Sequence, residues 1–175
     1  MELQTTLLQF MLQVPLHFIP LTREYAERKG LSERLIRRML ERQGWLVWRA
    51  SSIGAHTRPD AWPNVKRKYG MLEGLLPQGQ HAYLTYLNTV HHGLPDYLCH
   101  RRGEWKFVEC KMGHEQLLES QERCIPKLQA RGFPVEVFVL AEPCTKARRG
   151  TLHLDTRAKE VHDRQLRLKR RWKRR

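Results

Sequence analysis

Between Trp105 and Leu140 the chain alternates, turns amphipathic and then becomes strand-like again, and this order constrains the fold more than any other feature. In the run WKFVECK, Trp105, Phe107, Glu109 and Lys111 fall on one face, and Lys106, Val108 and Cys110 on the other. From His114 to Arg131, residues Leu117, Leu118, Gln121, Cys124, Ile125 and Leu128 recur at helical spacing. A helix is predicted there, kinked or shortened by Pro126 and ended by Gly132. Val135 to Leu140 then reads as a strand.

The upstream segment supplies the partners for these elements. SERLIRRMLERQG places Leu35, Ile36, Met39 and Leu40 on one helical face, with Ser32 as candidate N-cap and Gly44 just past the end. At about 100° per residue, Glu33 lies beside Leu40 at the edge of that apolar stripe. Interaction with the helix N-terminus is its simplest explanation, an effect of ~0.3–1 kcal/mol. Trp45 to Ala50 is a β-type run ended by Ser51-Ser52-Ile53-Gly54. Ala55 to about Gln80 is rich in Pro, Gly and charge and reads as a long loop or insertion, a length that is usually functional or disordered. Tyr83–Val90 and Leu94–Cys99 read as strands, the second followed by the turn Arg101-Arg102-Gly103-Glu104. Leu152-His153-Leu154 is a candidate edge strand. Helix, strand, hairpin strands, helix and strand together predict an α/β fold, a small mixed sheet flanked by helices.

The 175 residues suffice for one core of roughly 100–150 residues plus appendages. With 41% hydrophobic residues a packed core is expected despite a net charge of +14. Such a charge on a foldable chain points to a polyanionic partner. Arg164–Arg175, RQLRLKRRWKRR, carries eight of the basic residues and no acid. It is either a solvated extension or a nucleic-acid arm, the latter favoured by Leu166, Leu168 and Trp172 among the arginines. The start of the chain has no basic n-region and is broken by Pro15 and Pro20, so neither a signal peptide nor a membrane span is expected. Leu7, Phe10, Met11 and Val14 instead suggest an apolar helical stripe packing on the core or on a second subunit. Cys99, Cys110, Cys124 and Cys144 form no CxxC pair and read as reduced, mostly buried thiols of a cytoplasmic protein.

The chemistry is concentrated in Gly93-Leu94-Pro95-Asp96 and Glu109-Cys110-Lys111. Two antiparallel strands joined by the RRGE turn bring both carboxylates into one cluster, with Lys111 on the same face as Glu109. Two hard oxygen ligands beside a lysine suit Mg²⁺, which takes carboxylates, waters and substrate phosphate oxygens. A purely structural arrangement is also open, with Asp96 capping a turn and Glu109 pairing with Lys111. Gln121, polar on an apolar stripe, either faces this site or is a buried amide satisfied internally. His91-His92 lacks the further His/Asn motif that a His-metal nuclease would need.

GLPD, FVECK, the Gln121 helix, Gly132 and VEVFVL together resemble the PD-(D/E)XK nuclease superfamily. SERLIRRMLERQGWLVWRASSIG extends the resemblance, over about Leu31 to Leu140, to archaeal-type Holliday-junction resolvases; the VRR-NUC branch is similar through GLPD, ECK and the Gln121 helix. The resemblance implies a restriction-endonuclease-like αβββαβ core spanning 31–155. An N-terminal arm (1–30), a candidate dimer contact, would precede it, an insertion would occupy about 55–92, and a basic tail (156–175) would follow. It implies that Asp96, Glu109 and the Cys110 backbone carbonyl bind Mg²⁺, or Mn²⁺ in its place, with Glu33 completing the acidic cluster. Lys111 would orient the attacking water or stabilise developing charge. Arg49, Ser51, Ser52 and Gln121 would lie near the scissile phosphate, and Lys66, Arg67, Lys68, Arg170 and Arg171 would contact DNA.

The activity so implied is structure-selective endonucleolytic resolution of four-way DNA junctions. It would leave 5′-phosphate and 3′-hydroxyl ends, in a homodimer, in a prokaryotic, archaeal or phage-infected cytoplasm. Two alternatives are a VRR-NUC or restriction-like nuclease on duplex or flap DNA and a catalytically silent nucleic-acid-binding protein of the same fold. The insertion and Pro126 depart from the resolvase pattern.

Overall fold

A computed structural model describes residues 11–142 and 146–156. Six strands form one sheet: β1 (Met11–Pro20), β2 (Leu46–Arg49), β3 (Tyr97–Arg101), β4 (Glu104–Met112), β5 (Val135–Ala141) and β6 (Arg148–Asp155). Among the described residues four α-helices accompany them: α1 (Leu31–Arg42), α2 (Pro63–Leu75), α3 (Gln80–Val90) and α4 (Glu119–Gln129). The spatial order is β2-β3-β4-β5-β1-β6. The β2-β3-β4 meander is antiparallel, β4 and β1 flank β5 in parallel, and β6 returns antiparallel on the edge. The protein is therefore α/β, with a mixed sheet flanked by helices.

The period-2 pattern of β4 sorts the two cores as expected. Phe107 packs with Trp48, Leu98, Ile125 and Leu128 on one face. Val108 and Cys110 pack with Ile36, Leu40, Val47 and Tyr97 on the other, beneath α1. Gly44, at φ 83°, turns the chain from α1 into β2, a left-handed conformation that glycine adopts without steric cost. The expected edge strand at Leu152–Leu154 lies within β6.

Several expectations change. Tyr83–Val90 is not a strand; it belongs to helix α3, with Leu84 and Leu87 buried. Its Thr85 and Thr89 hydroxyls donate to the carbonyls of His81 and Thr85, four residues back, so they sit within the helix despite their β propensity. The insertion is likewise not a loop: α2 and α3 cover one sheet face, contributing Tyr69, Leu72, Leu84 and Leu87 to the core. Trp48 Nε1 donates to the Lys68 carbonyl at 3.0 Å and the Tyr69 hydroxyl to the Arg49 carbonyl at 2.9 Å, fastening α2 to β2.

The segment expected as an N-terminal arm with a helical stripe supplies β1, which lies inside the sheet between β5 and β6. Leu12, Val14, Leu16 and Phe18 line one face at a spacing of two. Leu7 and Phe10 lie outside the described residues, as do Cys144 and the basic tail from residue 157 onward. Ser32 is not the N-cap of α1; Gly30, at φ 62°, holds that position and Ser32 is buried in the first turn. Helix α4 begins at Glu119, later than expected, and continues through Pro126 to Gln129. Cys99, Cys110 and Cys124 are buried and form no disulfide among the described residues. Among the described residues no helix is long and apolar enough to cross a membrane.

Candidate functional site

The β3–β4 ladder ends at the pair Tyr97–Val108, which leaves Asp96 and Glu109 facing each other just beyond it. Backbone and side chain interlock there. Asp96 Oδ2 accepts from the Cys110 amide at 2.8 Å, while Glu109 Oε2 accepts from the Asp96 amide at 3.2 Å. The alternation of β4 sends Lys111 to the same side as Glu109, and its Nζ lies 2.9 Å from Glu109 Oε1. Gln121, in the first turn of α4, completes the group. Its Nε2 donates to Glu109 Oε1 at 2.6 Å, and its Oε1 accepts from Lys111 Nζ and the Leu118 amide, both at 3.0 Å. Both readings of Gln121 hold together: the amide is internally satisfied and lines the cleft.

Glu33 enters from the other face of the sheet, in the first turn of α1. Its Oε2 accepts from the Ser32 hydroxyl at 3.1 Å, and the Tyr97 hydroxyl donates to its backbone carbonyl at 3.3 Å. The outcome is one cleft of about 510 Å³ lined by Glu33, Asp96, Glu109, Cys110, Lys111 and Gln121, together with other residues. The N-terminal turns of α1 and α4 both open onto it, and unpaired helix amides favour anions. A larger cleft of about 710 Å³ between α1 and the end of β1 is lined by apolar side chains and arginines and contains no carboxylate.

Burial sets the electrostatics. Glu109 is 2% exposed and Lys111 8%. Burial, then repulsion from Asp96, pushes the Glu109 carboxyl up to about 7, against the pull of Lys111 and Gln121. Burial likewise raises Asp96, and Glu33 adds to the rise while the Cys110 amide, Lys111 and Arg49 oppose it. Crowded carboxylates whose ionised forms are penalised, held as hard oxygen donors, fit a divalent cation such as Mg²⁺. The Cys110 thiol does not fit a nucleophile, since burial holds it well above the usual thiol range.

The remaining expected residues lie at the margin. Arg49 ends β2 on the surface, close enough to Asp96 to oppose its rise, and Ser51 and Ser52 form the turn that follows. None of the three lines the cleft. Lys66, Arg67 and Lys68 sit on α2, where Lys66 Nζ donates to the Pro59 carbonyl. Lys68 is partly buried, and that burial, with Arg37 nearby, lowers its pKa. Arg170 and Arg171 lie outside the described residues.

Sequence reasoning missed Arg28, Lys29 and Glu115, which also line the cleft. The run Arg28-Lys29 directly before Gly30 and Glu33 was the available signal for two of them. It also missed the reason for Gly93. A Cβ there would collide with the Ser120 carbonyl oxygen, so only glycine lets the strand lead-in pass beside α4. Fold and cleft thus define an α/β protein with a buried acid–lysine–amide cluster at the end of its central hairpin. Comparison with family models, curated proteins and solved structures gives no match.

Proposed function

We propose that the chain is a Mg²⁺-dependent DNA endonuclease of the PD-(D/E)XK kind, acting on four-way junctions as a homodimer. One observation carries this reading: Glu33 from α1, Asp96, Glu109 and Lys111 from the β3–β4 hairpin, and Gln121 from α4 converge in a single cleft. The order helix, three antiparallel strands, helix, parallel strand in α1-β2-β3-β4-α4-β5 is compatible with a restriction-endonuclease-like core, with α2 and α3 inserted after β2.

Asp96, Glu109 and the Cys110 backbone carbonyl would hold the metal, with Glu33 beside them and Mn²⁺ able to substitute. When bound, such an ion neutralises phosphodiester charge and supplies hydroxide at neutral pH. Lys111 donates hydrogen bonds to the oxygen on which charge develops, an electrostatic role that works best in a water-poor cleft. Gln121 fixes the Lys111 ammonium and the Glu109 carboxylate relative to each other. The surface basic residues of α2, and Arg49 next to Asp96, supply phosphate contacts. Cutting a two-fold symmetric junction calls for two equivalent sites, hence two copies.

Labelled four-way junctions, flaps, linear duplex and single strands, offered with Mg²⁺, Mn²⁺ or EDTA, test the proposal. Junction cleavage that requires metal and is lost in Asp96→Asn and Glu109→Gln supports it. Binding without cleavage of any substrate leaves a nucleic-acid-binding protein, and equal cleavage of flap or duplex removes only the junction preference.

A further inference from the structure

A second group of ligand-type side chains lies in the insertion and shares no residue with the acidic cleft. His56 comes from the short 3₁₀ turn Ala55–Thr57, Glu73 from the last turns of α2, and His81 from the first turn of α3. His56 Nε2 is 2.9 Å from Glu73 Oε2, and His81 Nδ1 is 3.5 Å from Glu73 Oε1. One donor atom from each residue lies within 4.8 Å of the others. The imidazoles are largely buried, with side chains 9% and 15% exposed, and their rings meet edge to face at 5.1 Å. Glu73 is 53% exposed and keeps one side of the group open to water.

We infer that His56, Glu73 and His81 form a transition-metal site, with Zn²⁺ as its expected occupant. Zn²⁺ binds imidazole nitrogen and carboxylate oxygen at about 2.0–2.2 Å, so tetrahedral ligand atoms stand roughly 3.3–3.6 Å apart. The His81–Glu73 contact at 3.5 Å falls within that spacing, and the His56–Glu73 contact at 2.9 Å needs only a small outward shift to reach it. Two nitrogens and one oxygen leave a fourth position for water on the open side. The donor set separates this site from the acidic cleft, because imidazole suits Zn²⁺ and all-oxygen ligation suits Mg²⁺.

The site's place in the fold gives it a structural task. Helix α2 carries Gly70 and Gly74 and joins α3 through Pro77 and Gly79, a segment with little intrinsic rigidity. An ion would tie the turn after β2 to both helices and fix α2, with its basic residues, against the sheet. Without an ion the same geometry is a clamp in which His56 hydrogen-bonds to Glu73 and His81 lies 3.5 Å from it, while His56 Nδ1 and His81 Nε2 remain buried without partners.

The full chain, stripped with chelator, is titrated with Co²⁺ and followed by visible absorption, then challenged with Zn²⁺. Thermal unfolding is recorded with and without Zn²⁺. The expected result is a four-coordinate Co²⁺ spectrum at one equivalent, displaced by Zn²⁺, and a Tm rise of roughly 5–10 °C when Zn²⁺ is in hundredfold excess over its Kd. His56→Ala and Glu73→Gln, each checked for retained fold by circular dichroism, abolish both signals. Asp96→Asn leaves both intact while testing the nuclease reading alone. A Co²⁺ spectrum that is absent from the full chain, or that survives in both variants, overturns the site and leaves the clamp.

Discussion

Glu109 should make the metal-free protein lose stability as pH rises, and the size of that loss follows from its surroundings. Its folded-state value of about 7 compares with an ordinary glutamate value of 4.5. Because the folded value is raised, the stabilisation is complete below pH 4.5 and is lost as pH climbs towards 7. At ~1.4 kcal/mol per pH unit of separation the loss is about 3 kcal/mol, a large part of a typical stability of about 5–15 kcal/mol. Glu109→Gln removes the titration while keeping the shape of the protonated acid. His17 and His81, whose values burial lowers, titrate with the opposite sign in both proteins and cancel in the difference. Urea unfolding in EDTA from pH 4.5 to 8 should therefore show the two proteins nearly equal at the acid end. The variant should be more stable by about 3 kcal/mol above pH 7. Millimolar Mg²⁺ should recover most of the wild-type loss and do little for the variant. A difference curve flat to within about 1 kcal/mol would refute the claim that burial penalises this carboxylate.

Other consequences are sharper in direction than in size. Gly93→Ala drives a Cβ into the α4 backbone and should destabilise by about 3 kcal/mol or more, read as a lower urea midpoint. Tyr69→Phe removes the hydroxyl donated to the Arg49 carbonyl and should cost about 1 kcal/mol by the same assay. Gln121→Leu should lower cleavage roughly 10–100-fold and displace its pH profile, since Lys111 and Glu109 lose their common partner. Lys66→Ala and Arg67→Ala should each weaken DNA binding uniformly across sequences and reduce the slope of log K against log salt by about 1, measured by fluorescence anisotropy.

The hairpin part of the candidate site was legible because its geometry is local. Once WKFVECK is read at period 2, Glu109 and Lys111 must share a face, and one short turn is enough to return the chain beside Asp96. Glu33 was visible as a misfit at the edge of an apolar stripe, and Gln121 as a polar residue within one. The insertion was less legible because Tyr, Thr and Val favour strands on propensity alone. Burial of Leu84 and Leu87 in the same core as Trp48 and Phe107 favours a helix there, and that tertiary burial is not visible in local propensity.

Strand β1 shows where local reading runs out for a different reason. Its period-2 pattern, Leu12, Val14, Leu16 and Phe18, was present, and Pro15 already argued against a helix interior. Its position was not readable, because pairing Leu16 with Val137 joins opposite ends of the chain. Gly93 combines both limits. Its place before Leu94-Pro95-Asp96 marked it as part of a motif, yet the demand for glycine comes from the Ser120 carbonyl on α4. The close pass beside α4 also runs next to the first turn that carries Gln121, so a larger residue at 93 would have to displace that turn, whose Gln121 bonds Glu109 and Lys111. A packing constraint at one backbone crossing thus helps set the hydrogen bonds of the candidate site.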